Sequence, residues 1–206
     1  METPPSPMAV VILSGGQSRR MGQNKALMPF GGQPLTERVV QVLRPLFGEI
    51  LISTNTPDDY AHLGLRCVPD LLPDTGSLGG IYSGLAAASH PHVFAVACDM
   101  PFLIAPLIEF LKRLAPDYDV VIPRSSRGLE PLHAFYSKRC LDPMRRQLEA
   151  GDHKIIRFFP EVRVRIVEPA ELAHIPDAQD ERWLLNLNTP ADYDRALKLL
   201  ADLRRR

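Results

Sequence analysis

The sequence predicts an α/β fold: a mainly parallel central sheet with helices on both faces. Segments with the apolar runs of buried strands alternate along the chain with segments whose apolar residues recur at helical spacing. Residues 9–13 and 93–98 are continuously apolar, which is typical of parallel strands that are covered on both sides. We find no internal repeat and no linker, so we expect one domain over residues 8–206, after a Pro-rich and disordered tail at residues 1–7.

The individual elements follow from local patterns. Pro34 opens a helix in which Leu35, Val39 and Leu43 share one face. Residues 162–167 alternate apolar side chains with Arg, which predicts an exposed or edge strand. The other predicted strands are 50–52, 67–70 and 120–122, with an extended segment at 129–136; the other helices are 105–114, 141–150, 190–203 and one that ends near Ala88 after a Gly-rich turn at 76–80.

The composition is that of an ordinary globular protein. The chain has 206 residues, is 45% hydrophobic and 23% charged, and carries a formal net charge of zero. That balance gives no overall basic field, so we expect neither nucleic acid nor a membrane as a partner. The cysteines Cys67, Cys98 and Cys140 form no C-x-x-C pair, which argues against a zinc site and a disulfide framework. Without a signal peptide or a membrane-spanning apolar run, the chain is expected to be cytoplasmic.

A Gly-rich loop follows the first apolar strand. The run from Leu13 to Lys25 is L-S-G-G-Q-S-R-R-M-G-Q-N-K, with three glycines and three cations. Glycines let backbone N–H groups approach a ligand closely, and fixed positive charges suit a polyphosphate. The run lacks both the end of a Walker A loop and the spacing of a dinucleotide fingerprint. The pattern G-G-x(3)-R-M-G-x(2)-K therefore predicts another kind of polyphosphate cradle, with a plain surface turn as the alternative.

The same loop resembles the opening loop of nucleotidyltransferases, which transfer an NMP from an NTP to a phosphorylated acceptor and release pyrophosphate. Three later segments add to the likeness: C-D-M-P at 98–101, E-P-L-H-A at 130–134 and N-L-N-T-P at 186–190. Together they are similar to the molybdenum cofactor guanylyltransferases of the MobA type, over residues 9 to about 197. The resemblance implies a single-domain, Rossmann-like nucleotidyltransferase fold, GTP and Mo-molybdopterin as substrates, and Mg²⁺ as the cofactor.

The residue chemistry and the resemblance indicate the same metal and phosphate groups. Asp99 directly follows a buried strand, and Mg²⁺ takes one or two carboxylates beside phosphates and waters. Asp99 is therefore the predicted metal ligand, with a capping role before Pro101 as the alternative, and Asn188 is a candidate second oxygen ligand. Lys25 and Arg20 are expected to neutralise the triphosphate and the leaving pyrophosphate, which makes Arg20, Lys25 and Asp99 the predicted catalytic residues.

The nucleotide is expected beyond the carboxyl ends of the strands, where ligands of open α/β sheets bind. By resemblance, Ser53 and Asp70 lie near the base and ribose. An Asp carboxylate can accept from guanine N1–H and N2–H₂, and a structural turn is the alternative for Asp70. Related sequences can carry Asn at the Ser53 position, so either Asn55 substitutes or that contact is missing. The predicted nucleotide-binding residues are Leu13, Ser14, Gly15, Gly16, Lys25, Ser53, Asn55, Asp70, Gly79 and Asp99.

The acceptor is expected on the two later segments. The E-P-L-H-A and N-L-N-T-P motifs look like the acceptor side of the family's site. A packed or hydrogen-bonded imidazole is the alternative for the histidine, because the reaction does not require a catalytic base there. The predicted acceptor-binding residues are Glu130, His133, Asn186 and Asn188.

These inferences combine into one expected function. A cytoplasmic monomer transfers GMP from Mg-GTP to the phosphate of Mo-molybdopterin, with transient contacts to cofactor-insertion proteins or molybdoenzymes. Two alternatives stay open. A sister enzyme would use CTP or another small phosphorylated acceptor, although the Gly15-Gly16 pair favours guanine. A non-catalytic carrier would bind GTP without Mg²⁺-dependent release of pyrophosphate, although Lys25 and Asp99 argue against it.

Overall fold

The structure, a computed structural model, describes residues 6–14 and 27–205. The predicted site residues Gly15, Gly16, Arg20 and Lys25 lie outside the described residues, so their roles stay predictions. The first strand begins at Ser6, so its backbone includes the last two residues of the predicted tail.

The strands build one large mixed sheet and one short hairpin. In chain order the strands are β1 (Ser6–Leu13), β2 (Pro29–Phe30), β3 (Gln33–Pro34), β4 (Phe47–Ser53), β5 (Arg66–Val68), β6 (His92–Ala97), β7 (Val120–Ser125), β8 (Gly128–Leu129), β9 (His133–Ser137) and β10 (Val164–Val167). In the large sheet the spatial order is β10-β7-β9-β6-β1-β4-β5, with β8 paired to β7, whereas β2 and β3 pair only with each other.

Most strands of the large sheet run in one direction. β1 is parallel to both of its neighbours, β4 and β6, and β4 is parallel to β5. β9, which lies in the segment that the sequence predicted as extended, runs antiparallel to β6 and β7. Its first residue, His133, therefore lies at the edge of the sheet where the parallel strands end. β10 lies at the edge of the sheet, as its alternating pattern predicted.

Helices cover both faces of the sheet. On β1, Val10 and Ile12 pack into one apolar cluster, and Ala9 and Val11 pack into another on the opposite face. The helices are α1 (Leu35–Leu43), α2 (Gly76–Ala87), α3 (Ala105–Leu114), α4 (Leu141–Glu149) and α5 (Pro190–Leu203). The first cluster includes residues of α1 and α3, and the second includes residues of α2 and α4. This arrangement confirms the predicted fold class.

The last helix packs beside the hairpin rather than on the sheet. Leu200 of α5 lies in a small cluster with Phe30 of β2, Phe102 and Leu187. Thr189 begins α5 with a reciprocal capping box, in which its side chain accepts from the backbone N–H of Asp192, as its position before Pro190 predicted. Within the described ranges, no helix combines the length and apolar character that crossing a membrane requires.

Candidate active site

The carboxyl ends of parallel strands meet at one edge of the sheet. The chain goes from β1 to β4 on one side, and later enters β6 on the other side of β1. β1 therefore lies where the strand order reverses, and ligands of open α/β sheets bind in the crevice at such a point. The residues predicted at these strand ends, Leu13, Ser53, Asp70 and Asp99, all belong to this edge.

Main-chain hydrogen bonds fix three of these strand ends relative to one another. The carbonyl of Leu13 accepts from the N–H of Cys98 at 3.0 Å, and the N–H of Ser14 donates to the carbonyl of Ser53 at 2.9 Å. Both bonds continue the pairing of β1 beyond its last residue. Since the Ser14 N–H is engaged in this way, a main-chain contact to a nucleotide base at Ser14 would use its carbonyl instead.

A buried tyrosine supports the residue that precedes the Gly-rich loop. Tyr60 lies in a 3₁₀ helix (Pro57–Leu63), is fully buried against Ile52, and places its hydroxyl 2.5 Å from Ser14 Oγ. This bond holds the Ser14 side chain in one orientation where the loop begins. Tyr60 was not predicted from the sequence, because no motif or strand-end position marks it.

Three polar side chains beyond β4 and β5 form a small network. Asn55 and Asp70 bond reciprocally: Asn55 Nδ2 donates to Asp70 Oδ2 at 2.9 Å, and the Asp70 N–H donates to Asn55 Oδ1 at 3.0 Å. Ser53 Oγ lies 3.5 Å from Asp70 Oδ1 and is almost completely buried, at 2% exposure. The structure therefore brings together three residues predicted to bind the nucleotide, and of these Asp70 is the one that the other two contact.

The Gly-rich segment at 76–80, which was expected to precede a helix, is itself the beginning of α2. A Cβ atom at Gly79 would lie 1.8 Å from Thr75 Oγ1, and one at Gly80 would lie 2.7 Å from Leu13 Cδ2 and 3.1 Å from Ser53 Oγ. Both positions thus require glycine for close packing, and Gly80 lets α2 lie against the ends of β1 and β4. The nucleotide-binding role of Gly79 stays a prediction.

Asp99 meets the N-L-N-T-P segment directly. The backbone carbonyl of Asp99 accepts from the N–H of Leu187 at 3.0 Å. Within the same segment, the Asn188 N–H donates to the Asn186 carbonyl at 3.1 Å, which gives the chain a tight turn around Leu187. Two motifs that are far apart in the sequence therefore form one junction at the end of β6.

An arginine from α1 holds the residues that follow Asp99. Arg38 Nε donates to the carbonyl of Pro101 at 3.0 Å, and its guanidinium lies 5.8 Å from the centroid of the Phe30 ring. Arg38 was not predicted from the sequence, because a cation on an amphipathic helix is usually a solvated side chain. Its position shows that α1 helps to fix the Asp99 loop.

The oxygen atoms of the Asp99 junction suit a hard cation. Asn186 Oδ1 is buried and has no hydrogen-bond partner within the described residues, which is unfavourable for an amide oxygen and leaves it available to a ligand. The described parts of the chain contain no group of three or more His, Cys, Asp or Glu side chains that could hold a metal ion. Mg²⁺ needs only one or two carboxylates beside phosphates and waters, so Asp99 with Asn186 and Asn188 fits that ion.

Two predicted acceptor residues have different surroundings. Glu130 is half-buried, and its Oε1 accepts from Ser125 Oγ at 2.5 Å.

His133 is fully buried, with its ring centroid 5.1 Å from that of Phe94 and 4.7 Å from that of Trp183. Burial lowers the pKa of His133 to about 3, so its imidazole is neutral at neutral pH. This environment favours the packed histidine over a direct contact with the acceptor, whereas the role of Glu130 stays a prediction.

Comparison with known proteins identifies relatives over most of the chain. A family model described as a MobA-like NTP transferase domain matches residues 10–166. A probable molybdenum cofactor guanylyltransferase from Pelotomaculum thermopropionicum is 41% identical over 186 residues, covering 90% of each chain. One with the same description from Carboxydothermus hydrogenoformans is 41% identical over 194 residues, covering 94% of this chain and 97% of its own. These matches confirm the family predicted from the four sequence segments.

A solved structure shares the architecture. The crystal structure of molybdopterin-guanine dinucleotide biosynthesis protein A from Archaeoglobus fulgidus is similar with a TM-score of 0.81 and 25% sequence identity. The match covers 95% of this chain and 100% of the other. The fold described above is therefore shared with that protein over almost the whole of both chains.

Proposed function

Because this chain belongs to the MobA-like NTP transferase family, we propose that it transfers GMP from Mg-GTP to the phosphate of Mo-molybdopterin. The products are the guanine dinucleotide form of the cofactor and pyrophosphate. Relatives described as molybdenum cofactor guanylyltransferases support the choice of substrates. The observation that carries the proposal is the junction of Asp99 with Leu187, which joins a candidate metal ligand to the predicted acceptor segment where the strand order reverses.

The chemistry requires no covalent intermediate on the protein. An oxygen of the acceptor phosphate attacks the α-phosphorus of GTP in line, the bond from that phosphorus to the bridging oxygen of the β-phosphate breaks, and pyrophosphate leaves with the bonding electrons. Enzymes accelerate such transfers mainly by positioning the reactants and by stabilising charge. We assign charge stabilisation to Arg20 and Lys25, and positioning to the strand ends around Ser14 and Asp99.

Mg²⁺, when bound, would neutralise charge on the triphosphate and on the departing pyrophosphate. The carboxylate of Asp99 would hold it, with Asn188 and the buried Oδ1 of Asn186 as oxygen donors from the neighbouring segment. The bond from Leu187 to Asp99 keeps these donors on one junction, and the bond from Arg38 to Pro101 limits movement on its other side. In this proposal the protein contributes oxygen ligands from two segments that a main-chain hydrogen bond joins.

The cellular setting in this proposal comes from the sequence. We place the reaction in the cytoplasm and expect a monomer that passes its product to cofactor-insertion proteins or molybdoenzymes. The spacing of the three cysteines and the zero net charge support that setting, because neither favours an oxidising compartment or a polyanionic partner.

The direct test is turnover with the natural reactants. The purified protein is incubated with GTP, Mg²⁺ and Mo-molybdopterin, and both the guanine dinucleotide product and pyrophosphate are quantified. We expect the two products in equal amounts and only when Mg²⁺ is present. An Asp99→Asn variant is the matched control, because it keeps the size of the side chain and the backbone carbonyl that binds Leu187. GTP binding without either product would instead favour the carrier alternative.

A further inference from the structure

The carboxamide of Asn55 is committed to a single neighbour. Its nitrogen donates to Asp70 Oδ2 at 2.9 Å, and its oxygen accepts from the Asp70 backbone N–H at 3.0 Å. A side chain that binds both the main chain and the carboxylate of one residue fixes the position of that residue and the orientation of its side chain. Asn55 is itself exposed, so this pairing does not result from a need to satisfy buried groups.

Ser53 approaches the same carboxylate from inside the protein. Ser53 Oγ lies 3.5 Å from Asp70 Oδ1, whereas Asn55 bonds to Oδ2, so each carboxylate oxygen faces one donor of the β4 end. Ser53 has 2% exposure and lies 3.1 Å from the place where a Cβ at Gly80 would be. Ser53 is therefore covered by α2 and can act on a ligand only through Asp70.

The carboxylate of Asp70 keeps acceptor capacity after these contacts. An ionised carboxylate offers about four lone-pair positions on its two oxygens, and the two donors use about one on each. Two adjacent acceptors remain, and Asp70 is half-buried, so part of its surface is open. The Watson–Crick edge of guanine presents two adjacent donors, N1–H and N2–H₂, whereas cytosine and adenine each present one amino group beside a ring acceptor.

We propose that Asn55 is a positioning residue for guanine selection, which holds the Asp70 carboxylate so that both of its oxygens face the donor pair of the base. This inference rests on the proposed function, because it deals with how that site chooses its nucleotide. Asp70 touches the base, whereas Asn55 and Ser53 act through Asp70. The Asn55 side chain thus selects guanine without contacting it.

Inosine triphosphate is the probe that isolates this role, because hypoxanthine keeps N1–H and lacks the N2 amine. The ratio of kcat/KM for GTP to that for ITP is measured for the wild type and for Asn55→Ala. A hydrogen bond to a charged group contributes about 1.5–3 kcal/mol, which corresponds to roughly a 10- to 100-fold preference. We expect the wild type to show a preference of that size and Asn55→Ala to lose most of it.

A charge exchange separates positioning from simple structural pairing. The double variant Asn55→Asp, Asp70→Asn restores a reciprocal amide–carboxylate pair with the opposite polarity. We expect it to recover the melting temperature lost in Asn55→Asp, where two carboxylates would face each other, and not to recover the preference for GTP over ITP. Equilibrium Kd values for GTP and ITP provide the same comparison without turnover.

The outcomes distinguish this inference from the function on which it rests. If Asn55→Ala loses stability and keeps the wild-type ratio of GTP to ITP, Asn55 is structural and the inference is wrong. The same holds if the exchanged pair selects GTP as strongly as the wild type does. A wild-type protein that binds and uses ITP as well as GTP would overturn base reading by Asp70 while leaving guanylyl transfer in place. A wild-type protein that binds neither nucleotide would overturn the proposed function together with this inference.

Discussion

The N–H of Leu187 donates to the carbonyl of Asp99 at 3.0 Å, and this bond joins the end of β6 to the segment that starts α5. In the proposed metal site, Asp99 would supply the carboxylate and Asn186 and Asn188 would supply amide oxygens, so neither motif would complete that site by itself. Because the bond uses main-chain atoms, side-chain substitutions at Asp99 can change the chemistry of the junction without removing its main-chain connection.

Replacing Asp99 therefore tests metal binding separately from folding. We expect Asp99→Ala to abolish turnover, because the metal ion loses its carboxylate ligand, and to melt within a few degrees of the wild type. The measurements are kcat/KM at saturating Mg²⁺ and a thermal unfolding curve. Normal turnover in this variant would refute the metal assignment.

Lys25 is expected to stabilise charge that develops on the leaving group. Removing one preorganised charge stabiliser costs about 2–4 kcal/mol, so Lys25→Ala should slow turnover by roughly 30- to 1000-fold. Single-turnover rates with saturating GTP measure the effect on the chemical step. Lys25→Arg is the matched control, because it keeps the charge and should retain more activity. A Lys25→Ala rate within about threefold of the wild type would mean that Lys25 has no such role.

The close approach of α2 makes Gly79 sensitive to substitution. A Cβ there would lie 1.8 Å from Thr75 Oγ1 and 2.8 Å from Thr75 Cβ, so we expect Gly79→Ala to destabilise the fold by about 1–3 kcal/mol. Denaturant unfolding gives this value. A double-mutant cycle with Thr75→Ala is the control: removal of Oγ1 relieves part of the overlap, so the two changes should cost less together than the sum of their separate costs. Strict additivity would exclude a clash between these residues.

His133 makes stability depend on pH. Burial lowers its pKa from 6.5 to about 3 in the folded protein, so the unfolded chain takes up a proton at a higher pH than the folded chain does. The resulting contribution is fully present above about pH 6.5 and is lost as the pH falls toward 3. At pH 5 the loss is about 2 kcal/mol.

The control for this prediction is His133→Leu, which keeps an apolar side chain at the same position. The free energy of unfolding is measured in urea at pH 7 and pH 5 for both proteins. We expect the variant to lose about 2 kcal/mol less than the wild type between these pH values, and to keep the wild-type KM for the acceptor. An equal pH dependence in both proteins would contradict the titration argument, and a large rise in KM would restore the predicted acceptor contact.

The sequence was most informative where the signal is local. The apolar runs of β1 and β6 and the cap at Thr189 depend on neighbouring residues in the chain, and the structure confirms these elements. The four short motifs were sufficient to predict the family, because each combines several unusual residue types in a fixed order. Asp99 could be placed at the crevice because a strand end fixes the residue that follows it.

The relationships that sequence reasoning missed depend on contacts between distant segments. Tyr60 reaches Ser14 and Arg38 reaches Pro101 only after the sheet and α1 are assembled. The fully buried position of His133 depends on Trp183, which is far along the chain, so the motif around His133 could not distinguish a core residue from a ligand contact. The direction of β9 was also not predictable, because an extended pattern is the same in parallel and antiparallel strands.

The most direct test of the proposed guanylyl transfer is a competition between nucleotides in one reaction. Equal concentrations of GTP and CTP are incubated with the protein, Mg²⁺ and Mo-molybdopterin, and the dinucleotide products are separated by mass. The proposed function predicts the guanine dinucleotide as the main product, together with an equal amount of pyrophosphate. The cytosine dinucleotide as the main product, or no dinucleotide at all, would contradict it.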